Sequence, residues 1–264
     1  MEKPIRHLLG LSGGKDSAAL AIYMKEKVPE MEYFFADTGS ELPETLEFVN
    51  IMQDYLGKEI TRINSGRDFE HFLKLKGNFL PNAHFRWCTQ YMKLAPFEKF
   101  VGTDKAITYV GIRADELYRE GYLVSNKSNI QAKYPFKEDG LLKEDILRIL
   151  EDSGVGIPKY YNWRSRSGCY FCFFQRKEEW VGLYENHPEL FEKARVYEQF
   201  HHERGRNYTW SPGESLDHII ARADKIKAEA EVRYDAKRAK NLFEAVLQEE
   251  DDAPEDQSCP ICSI

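Results

Sequence analysis

Six residues, Ser12-Gly13-Gly14-Lys15-Asp16-Ser17, stand between a short apolar run (Leu8, Leu9, Leu11) and an alanine-rich segment with helical spacing. The two glycines permit a tight turn that leaves backbone N–H groups outward. A helix beginning near Asp16 brings the partial positive charge of its N-terminus to the same place. Together these make an anion site suited to a pyrophosphate. Ser12 and Ser17 add hydroxyl donors and Lys15 adds charge. The spacing is not G-x-x-x-x-G-K-[ST], because Gly10, Gly13 and Gly14 do not satisfy it. A plain glycine turn would account for two glycines alone, but not for this polar cluster at a strand–helix junction.

Two further groups of residues carry chemistry. The stretch GIRADELYR holds Gly111, Arg113, Glu116 and Arg119. Guanidinium groups bind phosphate through paired, charged hydrogen bonds. Glu116 could fix Arg113 or a metal, although a single helical arginine is more often a solvated charge. The five cysteines are Cys88, Cys169, Cys172, Cys259 and Cys262. Cys169 and Cys172 have the C-x-x-C spacing that lets two thiolates face one metal from a single turn. The C-x-x-C at Cys259 and Cys262 contains a proline and also suits zinc, redox exchange or sulfur relay.

These residues need a frame to hold them. Apolar runs at His7–Ser12, Glu32–Ala36, Lys58–Ile63 and Ala106–Ile112 read as strands. Helical patterns at Asp16–Lys27, Pro43–Tyr55, Phe69–Lys76 and Leu94–Val101 lie around them. That alternation predicts an α/β fold with a doubly wound parallel sheet. Ligands of such sheets bind beyond the carboxyl ends of the strands. The loops SGGKDS, DTGSELPET and GIRADELYR should therefore converge. After about Lys133 the pattern turns helical, with helices expected at Leu141–Ser153, Lys177–Asn186, Glu189–Arg204 and, long and polar, Pro212–Gln248. Three regions are expected: a nucleotide-binding α/β domain at 1–135, a cysteine-containing substrate or cluster region at 136–210, and a C-terminal helix with an acidic tail at 211–264.

The bulk numbers bound these readings. The chain has 264 residues, 42% hydrophobic and 31% charged, which is ordinary globular composition. Of the net charge of −7, six belong to Glu249, Glu250, Asp251, Asp252, Glu255 and Asp256. The near-neutral remainder neither supports nor excludes nucleic acid. No 18-residue apolar run and no signal-peptide pattern occur, so a cytoplasmic location without membrane contact is expected, and structural disulfides are not. The basic residues Arg222, Lys225, Lys227, Arg233, Lys237, Arg238 and Lys240 read first as a solvated helix face and second as a nucleic-acid or partner surface. Arg164, Arg166 and Arg176 beside the C-x-x-C are better placed for an anionic substrate.

SGGKDS resembles the pyrophosphate loop of the PP-loop ATP pyrophosphatases, and FFADTGSELPETLEFV is similar to the sulfonucleotide-reductase branch that includes phosphoadenylyl-sulfate (PAPS) reductases. FRWCTQYMKLAPFEKF, with Arg86, Cys88 and Lys93, and GIRADELYR continue the match, over roughly residues 5 to 175. The resemblance implies an adenine nucleotide alpha hydrolase-like, Rossmann-like fold. It implies ATP with Mg²⁺ held at Ser12, Gly13, Gly14, Lys15, Asp16, Ser17, Asp37, Gly111, Arg113 and Arg119, with Lys15, Asp16 and Arg113 catalytic. Asp37, otherwise a turn cap, would approach the nucleoside. Cys88, Cys169, Cys172 and Cys262 would hold a [4Fe–4S] cluster, with zinc or free thiols as the alternatives; Cys259 or a non-protein ligand could replace Cys262, and Thr89 stands where the branch has a second cysteine.

Within this group the chain looks most like the ATP pyrophosphatase subunits of bacterial DNA phosphorothioation systems, which take part in phage defence. That likeness implies α–β cleavage of ATP, adenylation of a DNA backbone phosphate and sulfur from a cysteine desulfurase, with partner proteins on DNA and a possible homo-oligomer. The alternatives are a phosphoadenylyl-sulfate or adenylyl-sulfate reductase and a tRNA-thiolating PP-loop enzyme. The reductase tail motif of the Glu-Cys-Gly-Leu-His type is absent from SCPICSI.

Overall fold

The computed structural model describes residues 3–117, 125, 127–199 and 208–244. Its contacts divide the chain into two compact units. One comprises residues up to 77 together with 84–169, and the other comprises 78–83 together with the described residues from 170 onward.

The first unit is built on a five-stranded sheet. Its strands are β1 (Arg6–Gly10), β2 (Glu32–Ala36), β3 (Ile60–Ile63), β4 (Ala106–Tyr109) and β5 (Ile130–Lys133), in the order β3-β2-β1-β4-β5. Every neighbouring pair is parallel, with Leu9 opposite Tyr33 on one side and Tyr109 on the other. Helices α1 (Lys15–Met24), α2 (Pro43–Leu56), α3 (Phe69–Leu75), α4 (Trp87–Thr89), α5 (Ala95–Val101), α6 (Pro135–Glu138) and α7 (Lys143–Asp152) accompany it. Side chains alternate across a strand, so the sheet has two apolar faces. Leu9, Tyr33, Phe35 and Tyr109 join α1, α2 and α7 in one core. Leu8, Phe34, Ala36 and Ile63 join Phe97 and Val101 of α5 in the other. Covering both faces is what a parallel sheet requires.

The expected doubly wound α/β fold is present, with a helical C-terminal part. Strand β5 was not legible because IQAK is a short edge strand whose burial alternates, without an apolar run. Residues 87–101 hold a π-helical turn, Gln90–Leu94, between α4 and α5.

The second unit contains α8 (Lys177–Asn186), α9 (Pro188–Gln199), α10 (Leu216–Ala221) and α11 (Ala223–Glu244). Its core gathers Trp180, Leu183, Phe191, Trp210, Leu216 and Ile219, all at most 3% exposed. Phe171 stacks on Trp210 with ring centroids 5.4 Å apart. The long helix expected over Pro212–Gln248 is instead two helices. Ser215 caps α10 through its hydroxyl oxygen, which accepts the His218 N–H at 3.3 Å. Arg222 interrupts the run with φ −126° and ψ 30°, its guanidinium held by Glu214 at 2.8 Å through both Nε and NH2. The end of the expected helix past 244, and of α9 past 199, lies outside the described residues.

Candidate functional site

In the sheet order, β2 follows β1 on one side while β4 flanks it on the other. Open α/β sheets bind ligands beyond the carboxyl ends of the strands at such a reversal, here those of β1 and β4. The loops after these two strands are SGGKDS and the stretch from Val110 to Glu116.

The first loop is shaped by close approaches. Gly13 has φ +74°, and a Cβ there would lie 2.4 Å from Thr45 Cγ2. A Cβ on Gly14 would lie 2.7 Å from Ser167 Oγ. Ser17 is buried and spends its hydroxyl on the loop: it donates to the Gly14 carbonyl at 3.1 Å and accepts the Ser12 N–H at 3.1 Å. Its oxygen also lies 3.0 Å from that of Ser12. Ser17 therefore sets the loop's shape, while Ser12 stays half-buried at its surface. Helix α1 begins at Lys15, its first intrahelical bond running from the Ala18 N–H to the Gly14 carbonyl at 3.2 Å. The N–H groups of Lys15, Asp16 and Ser17 thus lie in the first turn, where the helix supplies no acceptor.

The loop after β4 meets this turn. A Cβ on Gly111 would lie 3.0 Å from the Asp16 carbonyl oxygen, so glycine lets the two backbones approach. Arg113, 3% exposed, donates from NH1 to Asp16 Oδ1 at 3.1 Å and from Nε to Asp115 Oδ1 at 2.9 Å. Its own N–H donates to Glu116 Oε2 at 2.8 Å, so Glu116 fixes the backbone of Arg113. Lys15 Nζ lies 3.2 Å from Asp16 Oδ2. Burial opposes ionisation of Asp16, but the charges and hydrogen bonds of Lys15 and Arg113 outweigh it and hold the carboxyl below its ordinary value. Burial likewise opposes the charge on Arg113. The carboxylates of Asp16, Asp115 and Glu116 override it, and its pKa is raised. Lys15 and Arg113 thus stand charged among the carboxylates of Asp16, Asp115 and Glu116.

Asp37 follows β2. Its N–H donates to the Ile63 carbonyl at 2.9 Å, and its Oδ1 accepts the Gly39 N–H at 2.9 Å, forming a side-chain-closed turn. Arg62 NH1 lies 3.5 Å from its other oxygen. Glu41 closes the same loop, accepting from the Thr38 N–H and hydroxyl at 3.1 and 2.6 Å and from the Ser40 N–H at 3.0 Å. Burial pushes its pKa up, against the Thr38 hydrogen bonds and the charge of Lys93.

Cys169 reaches this loop, a placement the sequence did not suggest. It forms an antiparallel bridge with Glu41, and its Sγ lies 3.2 Å from Thr38 Oγ1. Cys88 lies in α4, after Arg86 at the position before the helix, and Cys172 lies in the other unit. All three are half-buried thiols. Among the described residues, no three His, Cys, Asp or Glu side chains are gathered as a metal-holding group. Cys259, Cys262 and Arg119 lie outside the described residues.

Residues 159–168 supply contacts that motif reading missed. The buried Tyr160 donates its hydroxyl to the Gly13 carbonyl at 2.8 Å, and the Tyr161 hydroxyl accepts the Lys15 N–H at 3.2 Å. The only available signal was the aromatic pair in IPKYYNWRSRSG. Arg164 is 2% exposed and donates to the Cys169 carbonyl at 2.8 Å, so it holds the chain before it holds a ligand. Arg176 precedes α8 in the second unit and donates to Tyr234 Oη at 3.2 Å. No described helix is long and apolar enough to cross a membrane.

Residues 6–128 match the model of the phosphoadenosine phosphosulfate reductase domain. An uncharacterized protein of Methanocaldococcus jannaschii is 28% identical over 206 residues, covering 73% of this chain and 41% of that protein. A second from the same organism is 26% identical over 196 residues, covering 69% of this chain and 45% of that protein. The chain thus spans under half the length of these two relatives. A crystal structure of PAPS reductase from Candida auris, in its phosphate complex, aligns with a TM-score of 0.49 at 16% identity, over 63% of this chain and 82% of that one. The matched residues include the SGGKDS loop, β1 to β4 and Arg113, so over residues 6–128 the chain is similar to that domain.

Proposed function

We propose that the protein binds ATP at Ser12–Ser17, cleaves it between the α and β phosphates and adenylates a substrate oxygen, that of a DNA backbone phosphate, for replacement by sulfur. The observation that carries this reading is the charged array of Lys15, Asp16 and Arg113 at the start of α1, beside the switch crevice. Lys15 and Arg113 would offset charge on the departing pyrophosphate, and Asp16 would hold both cations in place. The substrate oxygen attacks the α phosphorus, the α–β bridging bond breaks and pyrophosphate leaves. A sulfur nucleophile supplied by a cysteine desulfurase then displaces AMP. Mg²⁺, when bound with the nucleotide, would supply further positive charge against the leaving pyrophosphate. Asp37 would approach the nucleoside, and Arg119 would add phosphate contact. Cys88, Cys169 and Cys172, with Cys262, would hold a [4Fe–4S] cluster; among the described residues no such ligand group is gathered.

The match of residues 6–128 to a PAPS reductase domain favours a second reading. There a sulfated adenosine nucleotide occupies the same crevice and a thiol releases sulfite. Incubation with Mg²⁺ and ATP labelled at the α phosphate, with and without DNA, separates the two. AMP with pyrophosphate, stimulated by DNA, is expected. Sulfite from a sulfated adenosine nucleotide plus a thiol, without ATP turnover, would replace the first reading with the second.

A further inference from the structure

The short 3-10 turn Lys159–Asn162 lays two tyrosines against the glycine loop. Tyr160 pins the loop from below through the Gly13 carbonyl. Tyr161 does something different. Its hydroxyl oxygen accepts the Lys15 N–H at 3.2 Å, and the Lys15 ammonium stands 5.4 Å from its ring centroid. Ser167 Oγ lies 3.4 Å from Ser12 Oγ, so the strap touches the loop again six residues after Tyr161.

The Lys15 N–H belongs to the first turn of α1, and the helix dipole there favours an anion. A neutral phenol oxygen is a weak occupant of that position. A phosphate oxygen carries charge, and charged hydrogen bonds are roughly twice as strong as neutral ones. We propose that Tyr161 is a place-holder in the phosphate subsite: its hydroxyl occupies the Lys15 amide until a phosphate oxygen of the nucleotide takes that amide from it. The inference rests on the nucleotide-binding reading above. Arg164 lies on the same strap, its guanidinium donating to the Cys169 carbonyl at 2.8 Å. It is buried, its Nε has no hydrogen-bond partner among the described residues, and its charge is felt at Tyr160. Tyr161 therefore sets how readily the subsite fills, because each binding event must break its bond to Lys15.

Tyr161→Phe removes the competing oxygen and keeps the ring beside Tyr160 and Lys15. Tyr161 is half-buried, and its hydroxyl also pairs with that of Tyr160, so a thermal melt of the variant checks that the loop's support survives. The full chain and this variant are titrated calorimetrically with magnesium pyrophosphate. The variant is expected to bind about two- to tenfold tighter, the range that one net hydrogen bond supplies. Equal or weaker binding by the variant, with the wild type binding normally, overturns the place-holder and leaves the nucleotide reading standing. A wild type that binds neither pyrophosphate nor ATP removes both.

Discussion

Asp16 accepts a hydrogen bond from Arg113 at 3.1 Å, and through it the start of α1 is tied to the loop after β4. The sheet brings these residues together from 97 positions apart by placing β1 beside β4. The folded protein holds the Asp16 carboxyl below its ordinary value of 3.8. The folded state therefore takes up this proton less readily than the unfolded chain. The stability it contributes is fully present above about pH 4 and is lost as pH falls through the lower, folded value. Asp16→Asn is expected to cost about 2–3 kcal/mol at neutral pH, since the buried Arg113 loses one of its carboxylates. Denaturant melts of both proteins should show the gap closing as the solution is acidified. A gap independent of pH would mean that the pair contributes nothing through its charge.

Gly13 is required for two separate reasons, and they can be pulled apart. Its φ of +74° strains any other residue, and a Cβ would meet Thr45 Cγ2 at 2.4 Å. Gly13→Ala is expected to lower the melting temperature and abolish ATP binding. Thr45→Ser removes the offending methyl while keeping the hydroxyl. The double variant should recover the steric part and retain the conformational part, about 1–2 kcal/mol. Failure of Thr45→Ser to relieve Gly13→Ala would place the whole penalty in the backbone.

The thiols make a separate prediction. Protein purified without oxygen is expected to contain iron and acid-labile sulfide, and Cys88→Ala, Cys169→Ala and Cys172→Ala should each lose them together. Zinc without sulfide would replace the cluster with a structural metal. Metal retained in Cys169→Ala would take that thiol out of the ligand set.

What the sequence disclosed follows a physical divide. Buried parallel strands such as EYFFA are near-continuous apolar runs, and Glu32–Ala36 coincides with the expected strand. The SGGKDS loop was legible because glycine, lysine and serine act locally. Strand β5 escaped because an edge strand needs no apolar run. The meeting of Cys169 with the Thr38–Glu41 loop escaped because a contact across 131 positions leaves no local pattern. Ser17 shows the remaining gap. Residue type marked it as a phosphate donor, while its neighbours in space commit its hydroxyl to Gly14.

The basic side chains of α11 separate composition from availability. Lys227 pairs with Glu185, Arg233 NH1 lies 3.1 Å from Glu178 Oε1, and Lys225 lies 3.8 Å from Glu229. A DNA phosphate would have to displace an acid at each of these positions, and no counterion would be released for that exchange. Exposed pairs of this kind contribute little to stability. The triple variant Lys225→Ala, Lys227→Ala, Arg233→Ala is therefore expected to keep its melting temperature within a few degrees. Its affinity for duplex DNA should stay within about twofold of the wild type, with an unchanged dependence on salt. Each of these residues that does contact a phosphate would instead lower the log–log salt slope by about one. A slope reduced by two or three would make this helix the nucleic-acid face despite its acidic partners.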